Sequence, residues 1–334
     1  PTPDTDKLIK LNNAIVFSLS QITPPSAPAA RELSYGNLAK AIERFEYAKS
    51  LPITGLGKRT RFNNHSHMTM MTKENSNPKL AKLGRPEAAG YATLSLSLAP
   101  ADMAGIDLCP MRTAACTAGC LGHNSGHSVM GKDCANDRTK VTPVRAARIK
   151  RTQALFGSDI FVSHNALEAI TNEIACFVKR CAKRGIRPAV RMNAFSDIVW
   201  ERVWPQLFQR FPMVKFYDYT KIAARKDSKL PSNYTLTLSR SEKNESTVLE
   251  VMKQGFRIKN VAVVFGVKNP ADMPTTWNGF TVIDGTADDM RFLDAPNTIV
   301  GLSWKGPSSK TAYTKSLNDA IASGFAVSVS SLTR

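Results

Sequence analysis

From Tyr91 onward the chain alternates short apolar runs with longer amphipathic stretches, and that alternation restricts the folds open to it more than any other feature. Strands are predicted at Tyr91–Leu98, Ala189–Asn193, Val214–Tyr219, Tyr234–Ser239, Val261–Phe265, Thr281–Ile283 and Thr298–Leu302. Helices are predicted at Pro143–Phe156, Asn165–Arg184, Val199–Phe211 and Glu245–Gln254, the last stopped by Gly255. Strand and helix in turn favour an α/β fold built on a parallel sheet with right-handed crossovers, either an open doubly wound sheet or a closed or partial barrel. Some seven strands with polar ends point to a barrel-like arrangement, a partial or closed β/α barrel. In that architecture the working groups sit in loops at the carboxyl ends of the strands.

Residues 1–75 read as an N-terminal helical extension, and 76–334 as the α/β domain. Thr23-Pro-Pro-Ser-Ala-Pro28 has the composition of a linker, while Glu32–Ser50 places Leu38, Ile42 and Phe45 on one helix face. The polar stretch from Asn63 to Pro78 reads as a solvated segment, and His65-x-His67 within it is more simply a loop than a metal site.

Within the domain, Cys109, Cys116, Cys120 and Cys134 crowd onto one loop rich in Gly and Asn, in a chain with six cysteines. Thiols gathered this way point to a metal or an iron–sulfur cluster, with structural disulfides or unligated thiols as the other readings. Zinc sites usually show paired Cys-x2-4-Cys knuckles, and only Cys116-x3-Cys120 qualifies. The uneven spacing favours iron–sulfur, most simply a 4Fe-4S cluster, over zinc. His123 and His127 are possible replacement ligands. Cys176 and Cys181 lie on a helical pattern and are expected to be buried helix residues.

The polar strand ends form a second signal. Arg191-Met-Asn193-Ala-Phe-Ser196-Asp197 follows one strand, Tyr217-Asp218-Tyr219-Thr220-Lys221 closes the next, and Ser239-Arg240-Ser241-Glu242 follows a third. Asp284-Gly-Thr286 and Asp288-Asp289 follow a late one, with Arg291 and Asp294 close behind. Each alone is ordinary capping, but several on one sheet edge suggest a pocket. Asp197, Asp218 and Asp284 are the candidate catalytic carboxylates. Arg191, Asn193, Lys221 and Arg240 are the candidates for binding a cofactor or ligand. Structural salt bridges would use the same residues. No Gly-x-Ser-x-Gly elbow, phosphate-binding Gly-x4-Gly-Lys-Ser/Thr loop or His-Glu-x2-His pair is present, which disfavours serine hydrolases, P-loop hydrolases and helix-borne zinc proteases.

A net charge of +18 exceeds what solubility requires, so a polyanion such as nucleic acid becomes a candidate partner. Arg145, Arg148 and Arg151, on the helix after the cysteine loop, are the candidate phosphate contacts, with a solvated helix face as the plain alternative. Lys179, Arg180, Lys183, Arg184 and Arg187 form a second basic group. No run approaches a membrane span, and Pro1 to Lys10 lacks the layout of a secretion signal, so a cytosolic protein with no membrane partner is expected.

Taken in order, Asn77-Pro-Lys79-Leu-Ala-Lys82, Gly90-Tyr91, Leu98-Ala-Pro100-Ala, Cys109-Pro110, Cys116, Cys120-Leu121 and Ala146-Ala-Arg148-Ile-Lys-Arg-Thr152 form one pattern. It continues through Arg191-Met-Asn193, Ser196-Asp197-Ile198, Phe216-Tyr-Asp-Tyr-Thr-Lys221, Ser239-Arg-Ser-Glu242, Val282-Ile-Asp284-Gly, Arg291-Phe-Leu-Asp294 and Ile299-Val-Gly301-Leu, with Lys305-Gly306 beyond. The series resembles the bacteriophage gene product 88 family over roughly residues 75 to 306. The resemblance implies a phage or prophage origin, expression in the cytoplasm of an infected bacterium, and a cluster carried by Cys109, Cys116 and Cys120. It implies no particular reaction. Three functions stay open: a nucleic-acid-associated iron–sulfur protein, a zinc-stabilised DNA-binding module without catalysis, and a radical or base-exchange barrel enzyme. The radical version lacks the expected Cys-x3-Cys-x2-Cys spacing.

Overall fold

The computed structural model describes residues 69–73, 90–124 and 141–330 apart from 255 and 308, together with 43, 46–47 and 49–50. Those last five are helical, within the helix expected at Glu32–Ser50. The remainder of that helix, the linker and the His65-x-His67 pair lie outside the described residues.

One nine-stranded sheet organises the chain. Its strands are β1 (Met71–Lys73), β2 (Tyr91–Leu96), β3 (Arg187–Arg191), β4 (Lys215–Thr220), β5 (Tyr234–Ser239), β6 (Asn260–Phe265), β7 (Thr276–Trp277), β8 (Phe280–Asp284) and β9 (Ile299–Ser303). Their spatial order is β1-β2-β3-β4-β5-β6-β9-β8-β7. All pairings from β2 through β8 are parallel, and only the edge strands β1 and β7 run antiparallel to their neighbours. β9 slots between β6 and β8, so the order of winding breaks near the end of the chain. Among the described residues no hydrogen bonds join the two edges, and the sheet is open where a closed barrel was one expectation. β1 also shows that the sheet reaches back ahead of residue 76.

The seven predicted strands are all present within a residue or two at most boundaries, because parallel strands buried on both sides read as apolar runs. The helices are α1 (Ala114–Ala118), α2 (Leu121–Asn124), α3 (Pro143–Phe156), α4 (Ile160–Lys183), α5 (Trp200–Val203), α6 (Pro205–Arg210), α7 (Glu245–Gln254) and α8 (Lys310–Ala322). The single helix expected over Val199–Phe211 is two. Pro205 lacks an amide hydrogen and disfavours helical backbone at Trp204, which sits at φ −147°, ψ 64°, and this breaks the helix there. α3 starts with Thr142 accepting the Arg145 N–H at 3.2 Å and with Pro143 at its first position.

Strand alternation gives the sheet two unlike faces. Leu94, Leu96, Val190, Phe216, Leu236, Leu238, Val261 and Val263 turn to the main core, where they meet Leu155, Ile170 and Ile174 of α3 and α4 and Val248 of α7. The opposite face carries Thr93, Ser95, Arg191, Tyr217, Tyr219 and Thr237. Across it lies a one-turn 3-10 helix, Arg291–Leu293, whose Phe292 ring stands edge-on to Tyr91 (4.9 Å) and Tyr217 (5.3 Å). Beneath this cover Arg191 pairs with Asp289 (2.6 Å), and Arg291 with Asp288 (3.0 Å) and Asp294 (3.4 Å), all buried. Among the described residues no helix is long and apolar enough to cross a membrane.

Candidate functional site at the carboxyl edge of the sheet

The carboxyl ends of β3, β4, β5 and β9 open into a cleft of about 260 Å³. Cys109, Cys116 and Cys120, from the loop after β2, line one side of it, and Trp304 and Phe325 form an apolar wall. Local rules explain how the loop is held. Thr113 caps α1 by accepting the Cys116 N–H at 3.0 Å, which fixes Cys116 in the first turn. Gly119 closes α1 against Trp304. A β-carbon there would lie 2.5 Å from the indole ring, so any side chain would push the loop off the cleft wall. At Gly122 a β-carbon would meet Pro100 at 2.8 Å and Phe195 at 3.2 Å.

Cys109 is the most enclosed of the three. Its N–H donates to Asp107 (2.9 Å), its sulfur accepts the Ala101 N–H (3.4 Å), and the thiol faces the Phe195 carbonyl at 3.6 Å. Arg112 clamps Asp102 and Asp107 beside it. Burial, reinforced by the negative charge of Asp197 and by Cys120, pushes the Cys109 thiol far above its usual range. The five described cysteines are free thiols, Cys181 buried and Cys176 half-buried on α4. Cys134 and His127 lie outside the described residues, as does the side chain of His123.

Of the candidate carboxylates, Asp197 lines the cleft. Its Oδ2 accepts the Lys221 N–H (2.7 Å) and its Oδ1 lies 3.5 Å from Arg225, which also grips Glu201. Burial raises its pKa against the pull of Arg225 and Lys221. Asp218 sits deeper. It accepts the Asn193 N–H (2.6 Å) and the Tyr234 hydroxyl (2.8 Å), and burial raises it to about 7. Asp284 is exposed and accepts both the N–H and the hydroxyl of Thr286, a local turn.

Among the candidate ligand-binding residues, Arg191, Asn193 and Lys221 line the cleft. Asn193 is spent on structure, its carbonyl accepting from Ser196, Ile198 and Trp200 while its amide donates to Ile198. Arg240 is a clamp, bonded to Glu245 and to the carbonyls of Gly324 (2.6 Å) and Phe325 (3.0 Å). Lys221 projects past Phe325, its ammonium 5.8 Å from the ring centroid.

The arginines of α3 point the other way from expectation. Arg145 and Arg148 are 1% and 8% exposed, because their face of the helix is the one that carries Thr152 and Leu155 into the protein. Arg148 donates to the Gly122 carbonyl (2.6 Å) and stacks 3.9 Å over Phe195, fastening the cysteine loop. Burial lowers its pKa to about 10, with Cys120 pulling upward. Arg151 is half-buried and donates to the Thr69 carbonyl at 2.9 Å. Inward guanidinium groups hold this loop and leave no outward stripe for a phosphate backbone.

Trp304 and Phe325 are the cleft residues that the sequence reading missed. Trp304 follows β9 directly, so the rule that strand ends carry sites could have found it. Phe325 comes from the turn after α8, where it packs edge-on to Trp304 at 6.3 Å, and no local signal marks it.

Among the described residues no three His, Cys, Asp or Glu side chains converge as they would around one metal ion. A single zinc would hold its sulfurs at about 2.3 Å, and so about 4 Å from one another. Three cysteines lining one cleft without that convergence do not make a single-ion site.

Fold and site together define an α/β protein with a cysteine-lined cleft at the carboxyl edge of a mostly parallel sheet. Residues 69–327, most of the chain, match the family model described as Gene product 88, and the protein belongs to that family. No curated protein and no solved structure matches the chain.

Proposed function

We propose that this is a phage iron–sulfur protein in which Cys109, Cys116 and Cys120 hold a cluster, most simply 4Fe-4S, above the carboxyl edge of the sheet. The observation that carries the reading is that three thiols from one loop face a single cleft whose other walls are the polar strand ends. Cys134 is the candidate fourth ligand. Once bound, such a cluster supplies one-electron chemistry or a Lewis-acidic iron. Around it the chain's own residues have definite tasks. Arg148 and Gly119 fix the loop, Trp304 and Phe325 restrict water, and Asp197 anchors Lys221.

We read the sheet as a half barrel. On a flat sheet the six steps from β2 to β8 would span about 29 Å at about 4.8 Å per step. Only seven residues lie between Asp284 and Phe292, and they include a turn and the start of a 3-10 helix, yet Phe292 touches Tyr91 on β2. A strongly curled sheet accounts for that contact, with residues 288–294 covering its concave side.

The charge of +18 supports association with nucleic acid in the infected bacterium. With Arg145 and Arg148 turned inward, the exposed Lys179, Arg180, Lys183, Arg184 and Arg187 become the candidate phosphate contacts. They lie at the end of α4 and the start of β3, at the opposite end of the strand from the cleft. Binding there would dock the protein without delivering a base to the cysteines.

The test is oxygen-free purification with iron and sulfide analysis and a visible spectrum. Bound iron with charge-transfer absorbance is expected, lost in Cys109→Ser, Cys116→Ser and Cys120→Ser and kept in Cys176→Ser. A colourless protein with one zinc, or iron indifferent to those three cysteines, ends the cluster reading. For the second part, affinity for duplex or single strands should fall steeply with salt. A lack of binding at low salt removes the nucleic-acid partner.

A further inference from the structure

The cleft beside the cysteines is lined by more than one cation. Arg112, Arg191 and Lys221 stand around it, and among the described lining residues the carboxylate is that of Asp197, which already lies beside Arg225. Arg112 is answered by Asp102 and Asp107. Lys221 is answered only at longer range, by Asp197. Its backbone is pinned at the end of β4 by Asp197, its ammonium runs past the Phe325 ring, and it makes no ion pair among the described residues. Arg191 has one nitrogen on Asp289, while its Nε, buried, has no hydrogen-bond partner. An unanswered buried donor costs free energy unless an acceptor meets it, and a half-buried ammonium beside an apolar ring is a ready partner for that acceptor's negative charge.

We infer that the cleft binds a small molecule through an oxyanion group, a phosphate or a carboxylate, received by the Lys221 ammonium and the neighbouring edge of Arg191. This rests on the reading that the cleft is the working site. It also narrows the four ligand-binding candidates to two, since Asn193 and Arg240 have their donors committed elsewhere. The volume of about 260 Å³ falls just below the range of typical ligand pockets, which run about 300–1,000 Å³. Shared with a cluster on its cysteine side, that space suits a metabolite smaller than a mononucleotide and excludes a dinucleotide. Trp304 and Phe325 offer the ligand an apolar surface beside the charged end.

Calorimetric titration of the full chain, prepared without oxygen, with inorganic phosphate and separately with acetate tests this. Saturable binding of at least one probe is expected, and which one binds identifies the group. Lys221→Gln should weaken it about tenfold or more, as expected for loss of a charge-assisted contact, whereas Lys221→Arg stays within a few-fold. Lys310→Gln, on the exposed start of α8, should leave it unchanged. The inference is overturned if neither probe binds, or if Lys221→Gln binds as the parent does. Iron content measured on the same samples separates the two readings. Anion binding without iron ends the cluster alone, and iron without anion binding ends this inference alone.

Discussion

The two faces of the sheet solve burial in opposite ways. The helix-covered face is a continuous apolar core in which Leu238, Val261 and Val263 are fully enclosed. The other face is just as dry beneath residues 288–294, yet it is filled with ions and phenols: Arg191 on Asp289, Arg291 on Asp288 and Asp294, and the rings of Tyr217 and Tyr219. Apolar packing tolerates approximate fit, whereas a buried ion is stable only while its partner is in place. The second face therefore holds Arg191, a cleft residue, in one fixed position, at a cost the first face must offset.

The largest test of that contrast is Asp289→Ala, which leaves Arg191 buried and unpaired and should lower stability by about 4 kcal/mol in urea unfolding. Replacing both partners together, Arg191→Met with Asp289→Leu, should recover most of the loss. If it does not, the ions do more than satisfy each other. Leu238→Ala, on the apolar face of β5, should cost about 3 kcal/mol through lost contact and a cavity, and no second substitution on the polar face should rescue it.

Acidity probes the helix-covered face at its carboxyl end, where Asp218 follows Phe216 onto the apolar side of β4. Asp218 has a folded pKa of about 7 against the usual carboxylate value of 3.8, because burial outweighs the Asn193 N–H, Arg191 and Tyr234 that favour its charge. The folded state therefore binds the extra proton. Its contribution to stability is fully present below about pH 4 and is lost as pH rises to about 7, by up to roughly 4 kcal/mol. Unfolding midpoints measured from pH 4 to 8 should decline less steeply in Asp218→Asn than in the parent. The smallest effect belongs to neither face. Lys315→Ala removes an exposed i,i+4 pair with Asp319 on α8 and should change stability by about 0.3 kcal/mol, within the error of a thermal melt.

Much of the sheet was legible in the sequence because buried parallel strands announce themselves. The runs at Tyr234–Ser239 and Val261–Phe265, and the helices Pro143–Phe156 and Glu245–Gln254, fall where their patterns put them. The edge strands β1 and β7 were not legible, since two or three residues carry no periodicity. α8 was hidden by its polar composition, and the break at Trp204 needed Pro205 to be weighed above the helical pattern around it. At the site, the cysteines and the strand-end polar residues stood out, but their division of labour did not. Asp284 serves a local turn and Arg240 clamps backbone, while Lys221 faces the cleft, although the three look alike as polar residues after strands.

Sequence alone determined the alternation of strands and helices, the gathering of thiols on one loop and the placing of polar residues at the carboxyl ends of strands. Each of these is a matter of local spacing. Tertiary structure decided the rest: that β9 enters between β6 and β8, that Arg145 and Arg148 turn inward, and that Trp304 and Phe325 line the same cleft as Lys221. Those outcomes depend on which surfaces meet across long stretches of chain, and burial is a property of the assembled neighbours that no single segment carries.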